Sequence, residues 1–232
     1  LWKDGAWNTL CLPFSMTAEQ VTAQLAPVKL MTLSTSSFAD GTLSLTFEDA
    51  TTIEAGQPYI IKWSKPDGYT ADGGFDITNP VFQGVTVPSG YTSDEAITEA
   101  LATASCQTDY VDFIGTFSPT IIYESDAEKH NLYLGSDNKL YYPTVTDYQV
   151  KSCRAYFQLK NGLTAGEHAG NGVRSFVLNF GDGEATGIIS TTNLTNSTNS
   201  DAVWYTLDGV RLDGKPTRKG VYILNGRKVV VK

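Results

Sequence analysis

The sequence predicts an all-β protein: a β-sandwich body with one or two short helices, followed by a small C-terminal two-hairpin β element. Three observations support this fold class. The 232 residues include 12 tyrosines, 10 phenylalanines and 4 tryptophans, and aromatic and β-branched residues favour strands. Short apolar–polar alternations recur between turns rich in Gly, Pro, Asp and Asn. Hydrophobic residues make up 41% of the chain, so a buried core is expected.

Two early segments read as strands of the body. "TLSLTF" alternates Leu43, Leu45 and Phe47 with small polar residues, which is typical of a strand with one buried face. "PYIIKW" begins a second strand at Pro58, directly after an "AGQ" turn.

Two later segments extend the same pattern. "NLYLGSDNKLYYP" predicts a hairpin with its loop over residues 136–139. In "KSCRAYFQLK" the alternation assigns Cys153, Ala155, Phe157 and Leu159 to one buried face of a strand.

Two segments predict short helices. In "MTAEQVTAQLAP", Thr17 and Gln20 have the spacing of a capping box, and Pro27 marks the end. In "TSDEAITEALATA", Ser93 or Thr92 is suited to cap the first turn.

The composition divides the chain into three parts. Residues 1–189 form the predicted sandwich domain. Residues 190–201 form a polar linker, because every residue from 190 to 200 except Leu194 is Ser, Thr or Asn and cannot build a core. Residues 202–232 form the two-hairpin tail.

The two tail hairpins are predicted from their turns. Asp208–Gly209 and Asn225–Gly226 are the predicted turn pairs, and such dipeptides suit the type I′ turn, whose two central residues have positive φ. The tail is also basic, with seven Lys or Arg and one acid from residue 211 to the end.

Charge and composition limit the classes of partner that we expect for this chain. A net charge of −8 argues against nucleic acid, whose binding rests on clustered Lys and Arg. No apolar run approaches the roughly 18 residues that indicate a membrane span. Cys11, Cys106 and Cys153 cannot all pair with one another, so free, core-packed cysteines are expected. The sequence carries no signal for an oligomeric state.

Catalytic signatures are sparse. No G-x-S-x-G or H-E-x-x-H motif occurs, and His130 and His168 lie in polar, turn-like stretches. Turn formation explains most of the aspartates, whereas a glycosidase needs two carboxyl groups facing each other across roughly 5–10 Å. We therefore expect no catalytic residue, no metal and no cofactor.

The strongest candidate for ligand binding is "KWSKPDGYTADGGF". Trp63, Tyr69 and Phe75 lie among glycines and aspartates, and exposed aromatic rings beside polar groups suit sugar stacking. The alternative is that Tyr59, Ile61 and Trp63 form one buried face of a strand, which the period-two alternation favours.

An ordered set of motifs resembles a known group of proteins. "WNTLCLPFSMT", "AGQPYIIKW", "FIGTFSP", "LYLGSDNKLYYP", "CRAYFQL" and "GEATGI" resemble the C-terminal regions of secreted and surface proteins of Bacteroidetes, which often carry leucine-rich repeats upstream. The tail is similar to the sorting domains of the type IX secretion system, although shorter. The resemblance implies export to, or beyond, the outer membrane and implies no catalytic residue. Since the chain opens in a strand, we expect a fragment without its signal peptide.

Three functional hypotheses follow. The first is a non-catalytic structural or anchoring module of an exported cell-surface protein. The second is a module that binds glycans or other host or surface ligands, including proteins, as an adhesin does. A glycoside hydrolase comes third.

Overall fold

Strands dominate the computed structural model, as the sequence predicts, with two short helices among the residues that it describes. These residues are 1–71, 73–124, 129–166 and 172–181, together with the backbones of five further strands, 185–190, 204–205, 211–212, 220–224 and 227–231. The chain divides into two compact units, Leu1–Thr192 and Asn193–Lys232. 

The first unit contains both helices, α1 (Ala18–Leu25) and α2 (Asp94–Ala104). Its strands are β1 (Asn8–Cys11), β2 (Lys29–Ala39), β3 (Thr42–Asp49), β4 (Pro58–Lys62), β5 (Cys106–Gln107), β6 (Val111–Thr116), β7 (Thr120–Ile121), β8 (Asn131–Leu134), β9 (Leu140–Tyr141), β10 (Gln149–Val150), β11 (Arg154–Leu159), β12 (Thr164–Ala165), β13 (Gly172–Val173), β14 (Ser175–Asn179) and β15 (Ala185–Ser190).

Two sheets form the body. One has six strands in the order β1-β4-β2-β3-β14-β15, and the other has five in the order β5-β6-β11-β8-β9. Within these two sheets, neighbouring strands are antiparallel except for β3 and β14, which run parallel. Two further pairs, β7 with β10 and β12 with β13, complete the unit.

Aromatic rings from the two sheets meet in the main core. Phe47 of β3 packs edge-on against Phe113 of β6 and Phe157 of β11, with ring centroids 6.5 and 6.3 Å apart. Phe113 and Phe157 stack at 4.3 Å on neighbouring strands. Since Phe47 belongs to the other sheet, the two sheets pack face to face as a sandwich.

A second core lies on the α1 side of the six-stranded sheet. Tyr59, Ile61 and Trp63 are buried there with Val21 and Leu25 of α1, while Ile60 joins the main core. Strand β4 is therefore buried on both faces, and the predicted buried face of Tyr59, Ile61 and Trp63 is confirmed.

Both helix starts agree with the predicted caps. The Thr17 hydroxyl accepts from the backbone N–H of Gln20 at 3.3 Å, and the Gln20 side chain accepts from the Thr17 N–H at 2.9 Å. In α2, the Ser93 hydroxyl accepts from the Ala96 N–H at 3.2 Å. Each cap satisfies N–H groups that have no partner within the helix.

The prediction for Cys153 needs a correction. Cys153 precedes β11 with a φ of 56°, so it lies in a turn and not on the strand face of Ala155, Phe157 and Leu159. Its half-buried side chain packs against the second core, whereas those three residues belong to the main core. All three cysteines are free.

The two sheets lie close together where β1 crosses β11 and β6, a region here called the β1–β11 seam. A Cβ placed on Gly115 of β6 would lie 2.2 Å from the Cys11 sulfur and 2.9 Å from the Cys11 Cβ. The Cys11 N–H also donates to the Cys153 carbonyl at 3.2 Å. Residue 115 must therefore be glycine because there is no space for a Cβ atom. The backbone conformation is not the reason, since the φ of Gly115 is not positive.

The second unit is a four-stranded sheet. Its strands, β16 (Trp204–Tyr205), β17 (Arg211–Leu212), β18 (Gly220–Leu224) and β19 (Arg227–Val231), occur in the order β17-β16-β18-β19. The antiparallel pairs β16–β17 and β18–β19 form the two predicted hairpins. The four turn residues, Asp208, Gly209, Asn225 and Gly226, lie outside the described residues, as does the predicted linker apart from Ser190.

Neither of the helices described is long and apolar enough to cross a membrane. Within the described ranges, no group of three or more His, Cys, Asp and Glu side chains is arranged to hold a metal ion.

We expect Gly115→Ala to lower the free energy of unfolding by about 1–3 kcal/mol, because overpacking at the seam forces the sheets apart. Chemical denaturation measures this change. The matched control is Gly90→Ala, at an exposed glycine whose Cβ would meet no heavy atom within 4 Å. Equal stability of the two variants would contradict the seam constraint.

We expect Cys11 to resist thiol reagents in the native protein. Its side chain is fully buried, and burial raises the pKa of its thiol far above the usual range, so thiolate is scarce. Mass spectrometry of alkylated peptides should show Cys106 and Cys153, which are half-buried, labelled before Cys11. Labelling of native Cys11 as fast as in denaturant would refute this.

Candidate binding site

A cleft of about 170 Å³ opens at one end of the β1–β11 seam. It lies between the segment that leads into β1, the β8–β9 hairpin and the chain from β10 into β11. We call it the Trp2 cleft. It is lined by residues 2, 4, 6–9, 133–136, 148–151, 154 and 155.

The floor of the Trp2 cleft is held by hydrogen bonds across the seam. The Ala155 N–H donates to the Thr9 hydroxyl at 3.1 Å, and Nη1 of Arg154 donates to the Thr9 carbonyl at 3.0 Å. Thr9 and Asn8 are the polar residues of the buried strand β1. Because each has hydrogen-bond partners, the burial of these polar groups is tolerated.

The hairpin wall is a set of stacked tyrosines. Tyr133 stacks on Tyr148 with ring centroids 4.3 Å apart and on Tyr141 at 5.7 Å. The Tyr141 hydroxyl donates to Asp137 at 2.7 Å, and this bond raises the pKa of Tyr141 to about 12. Burial raises the pKa of Tyr148 as well. Both phenols are therefore neutral hydrogen-bonding groups at physiological pH.

Asn138 ties the hairpin loop to the other sheet. Its side-chain oxygen accepts from the Trp7 N–H at 2.7 Å, and its backbone has a φ of 60°. Asparagine tolerates this left-handed conformation better than most residues. The contact fixes the hairpin wall relative to the cleft floor.

Trp2 forms the outer rim. The Asn8 side chain accepts from the Trp2 N–H at 3.2 Å and donates to the Trp2 carbonyl at 3.0 Å. The indole remains 45% exposed. The Lys151 ammonium lies 5.4 Å and the Arg154 guanidinium 5.2 Å from the centre of the ring, within cation–π range.

A second, more open cavity of about 710 Å³ adjoins the cleft. The two cavities share three residues, Trp2, Lys151 and Arg154, which we call the cationic wall. The loop residues 74 and 76–79 form the far side of the second cavity. The cleft and the second cavity therefore lie next to each other along the cationic wall.

Trp63, the first of the sequence-predicted ligand residues, is not available to a ligand. Its side chain is 2% exposed, and its Nε1–H donates to the Leu25 carbonyl at 2.8 Å. The prediction that Trp63 is exposed to a ligand was wrong, because α1 covers the end of β4 beside Trp63.

Tyr69 and Phe75 are half-buried and contact each other, with ring centroids 5.8 Å apart. The Tyr69 hydroxyl donates to Asp76 at 3.0 Å, and Asp76 lines the second cavity. Neither ring lines the Trp2 cleft. The loop therefore borders the candidate site through Asp76 and does not supply its aromatic platform.

The contacts of His130 are structural. Its backbone N–H and that of Asn131 donate to Glu124 at 2.6 and 3.1 Å, and its Nδ1 lies 3.6 Å from the same carboxylate. Glu124 thus holds the start of β8. His168 lies outside the described residues.

Sequence reasoning missed the Trp2 cleft. Trp2 is separated from Tyr133 and Tyr148 by more than a hundred positions, so no local motif unites the three. One signal was available: in the hairpin, Leu132 is buried while Tyr133 lies on the opposite face. Outward-facing tyrosines on paired strands are a stronger sign of a surface site than aromatic residues of unknown orientation.

Comparison with known proteins returned no match: no family model, no curated protein and no solved structure is significantly similar to this chain.

We expect Asn138→Ala to lower the free energy of unfolding more than Asn138→Gly does. Both lose the bond to Trp7, worth about 1 kcal/mol, but alanine also strains the positive φ by about 1 kcal/mol or more. Thermal and chemical denaturation measure both losses. If both variants match the unsubstituted protein, Asn138 does not fix the hairpin wall.

Proposed function

We propose that this chain is a non-catalytic module of an exported cell-surface protein and that it binds a saccharide in the Trp2 cleft. The observation that carries the binding role is the composition of the cleft: the exposed indole of Trp2 and the half-buried rings of Tyr133 and Tyr148 lie beside hydrogen-bonding groups. Structural anchoring alone is the alternative.

The size of the cleft suits one sugar ring. A cavity of about 150 Å³ is known to admit a six-membered ring such as benzene, and the Trp2 cleft measures about 170 Å³. The adjoining second cavity leaves room for neighbouring rings of an oligosaccharide.

The lining suits the two surfaces of a sugar. The C–H face of a pyranose is apolar and packs on aromatic rings, which Trp2 and Tyr148 supply. Its hydroxyl groups need donors and acceptors, and Ser136, Gln149 and Asp4 line the same cleft. A few polar groups within an apolar pocket are the usual composition of a small-molecule site.

We propose a non-catalytic role because the described residues that line the cleft do not include a pair of carboxyl groups. Hydrolysis of a glycosidic bond uses two carboxyl groups, one on each side of the bond. Among the described residues that line the cleft, Asp4 is the one carboxylate. Its Oδ1 accepts from the Ala6 N–H at 2.9 Å, which gives it a role in shaping the segment that leads into β1.

The exported setting rests on the resemblance of the ordered motifs to secreted and surface proteins of Bacteroidetes. A β-sandwich with a cleft at one end is a suitable architecture for a surface module that contacts glycans or other host or surface ligands. Nucleic acid remains an unexpected partner, given the net charge of −8.

We expect the chain to bind on a saccharide array and Trp2→Ala to weaken that binding about tenfold. Loss of one aromatic stacking contact costs on the order of 1 kcal/mol or more. Trp2 is 45% exposed, so the variant should keep its fold, which far-ultraviolet circular dichroism can verify.

Tyr69→Ala is the matched control, because Tyr69 is an aromatic residue of the first predicted site that lies outside the cleft. It should bind as the unsubstituted chain does. If Tyr69→Ala abolishes binding and Trp2→Ala has no effect, the site has been misplaced. If no saccharide binds at all, anchoring becomes the better proposal.

A further inference from the structure

We propose that the cationic wall, Trp2, Lys151 and Arg154, is a subsite for the carboxylate of an acidic saccharide. The inference rests on the proposed function and adds the chemical class of the ligand: uronic or sialic acid units in preference to neutral sugars.

The first support is the charge balance of the wall. Of the ion pairs formed among the described residues, none involves Lys151 or Arg154. Burial lowers the pKa of the Arg154 guanidinium, as expected for a cation that the surrounding protein does not fully compensate. A bound anion would supply the missing opposite charge.

The second support is the hydrogen bonding of Arg154. Within the described part of the chain its bonds come from Nη1, which donates to the Thr9 carbonyl at 3.0 Å and the Asn8 side chain at 3.5 Å. The edge formed by Nε and Nη2 is left for a ligand. Two parallel N–H groups on this edge match the two oxygens of a carboxylate.

The third support is preorganisation. The bond to Thr9 anchors the guanidinium on the cleft floor, and the Trp2 ring lies 5.2 Å from it. Lys151 is exposed and lies over the same ring. A charged subsite whose geometry is set before binding loses little entropy when the ligand arrives.

The carboxylates of Asp4 and Asp76 accept hydrogen bonds from groups outside the cationic wall. Asp4 accepts from the Ala6 N–H at 2.9 Å. Asp76, across the second cavity, accepts from the Lys3 N–H at 2.7 Å and from the Tyr69 hydroxyl at 3.0 Å. Among the described residues, neither carboxylate forms an ion pair with Lys151 or Arg154, so neither directly neutralises the cationic wall.

The test compares acids with their neutral esters. An array carries oligomers of galacturonate and glucuronate, sialylated saccharides, and the methyl ester of each. We expect the acids to bind at least about tenfold more tightly than the esters, since a charge-assisted hydrogen bond contributes more than a tenfold gain. The preference should shrink as salt is raised.

Substitutions assign the preference to the wall. Arg154→Gln and Lys151→Gln should each reduce the ratio of the affinity for the acid to the affinity for its ester. Arg154→Lys keeps the charge but loses the planar fork, so it should restore only part of this ratio.

Lys65→Gln is the matched control. The Lys65 ammonium also lies 5.4 Å from an aromatic ring, that of Tyr69, but Lys65 does not line either cavity. Lys151 is exposed, so its variant reports binding even if Arg154→Gln unfolds.

The outcomes separate the two proposals. Equal binding of acids and esters, with Trp2→Ala still deleterious, overturns the carboxylate subsite and leaves saccharide binding intact. Binding of no member of the array overturns the proposed function and the subsite with it. A ratio unchanged in Lys151→Gln and Arg154→Lys also overturns the subsite.

Discussion

The close crossing of β1 over β11 and β6 is the constraint on which the rest of the structure depends. Strand β1 is hydrogen-bonded in one sheet, through β4, and it also bonds to the start of the other sheet through Cys11 and Thr9. This double role requires small side chains, and Gly115 leaves the space that the Cys11 sulfur fills. The seam therefore sets the spacing of the sandwich at the end where the cleft opens.

The same crossing explains why polar chemistry accumulates at that end. Between two sheets, backbone groups that leave the ladder need side-chain partners, and Thr9, Asn8 and Arg154 provide them. Arg154 is the first residue of β11. One nitrogen of its guanidinium bonds across the seam, and the opposite edge has no hydrogen bond to any residue that the structure describes. The aromatic hairpin and Trp2 then enclose the space above it. The structural role of Arg154 and its proposed binding role thus fall to one side chain.

Local features of this chain were predictable from sequence, and features that depend on distant contacts were not. The Thr17 capping box and the alternation of β3 depend on residues a few positions apart, and both are confirmed. The exposure of Trp63 depended on whether α1 covers the end of β4, which no local pattern decides. Cys153 followed the alternation of its neighbours in sequence, yet a positive φ removes it from the strand. The Trp2 cleft combines the start of the body with residues 133–155, so only the folded chain brings its residues together.

Nuclear magnetic resonance titration of the ¹⁵N-labelled chain with an acidic oligosaccharide tests the central claim most directly, because indole and guanidinium N–H signals report on single side chains. The account predicts that the Trp2 indole and Arg154 Nε–H signals shift with the same saturation curve, while the buried Trp63 indole, bonded to the Leu25 carbonyl, stays in place. Shifts confined to the loop of Tyr69 and Phe75, with Trp2 and Arg154 unchanged, would contradict it.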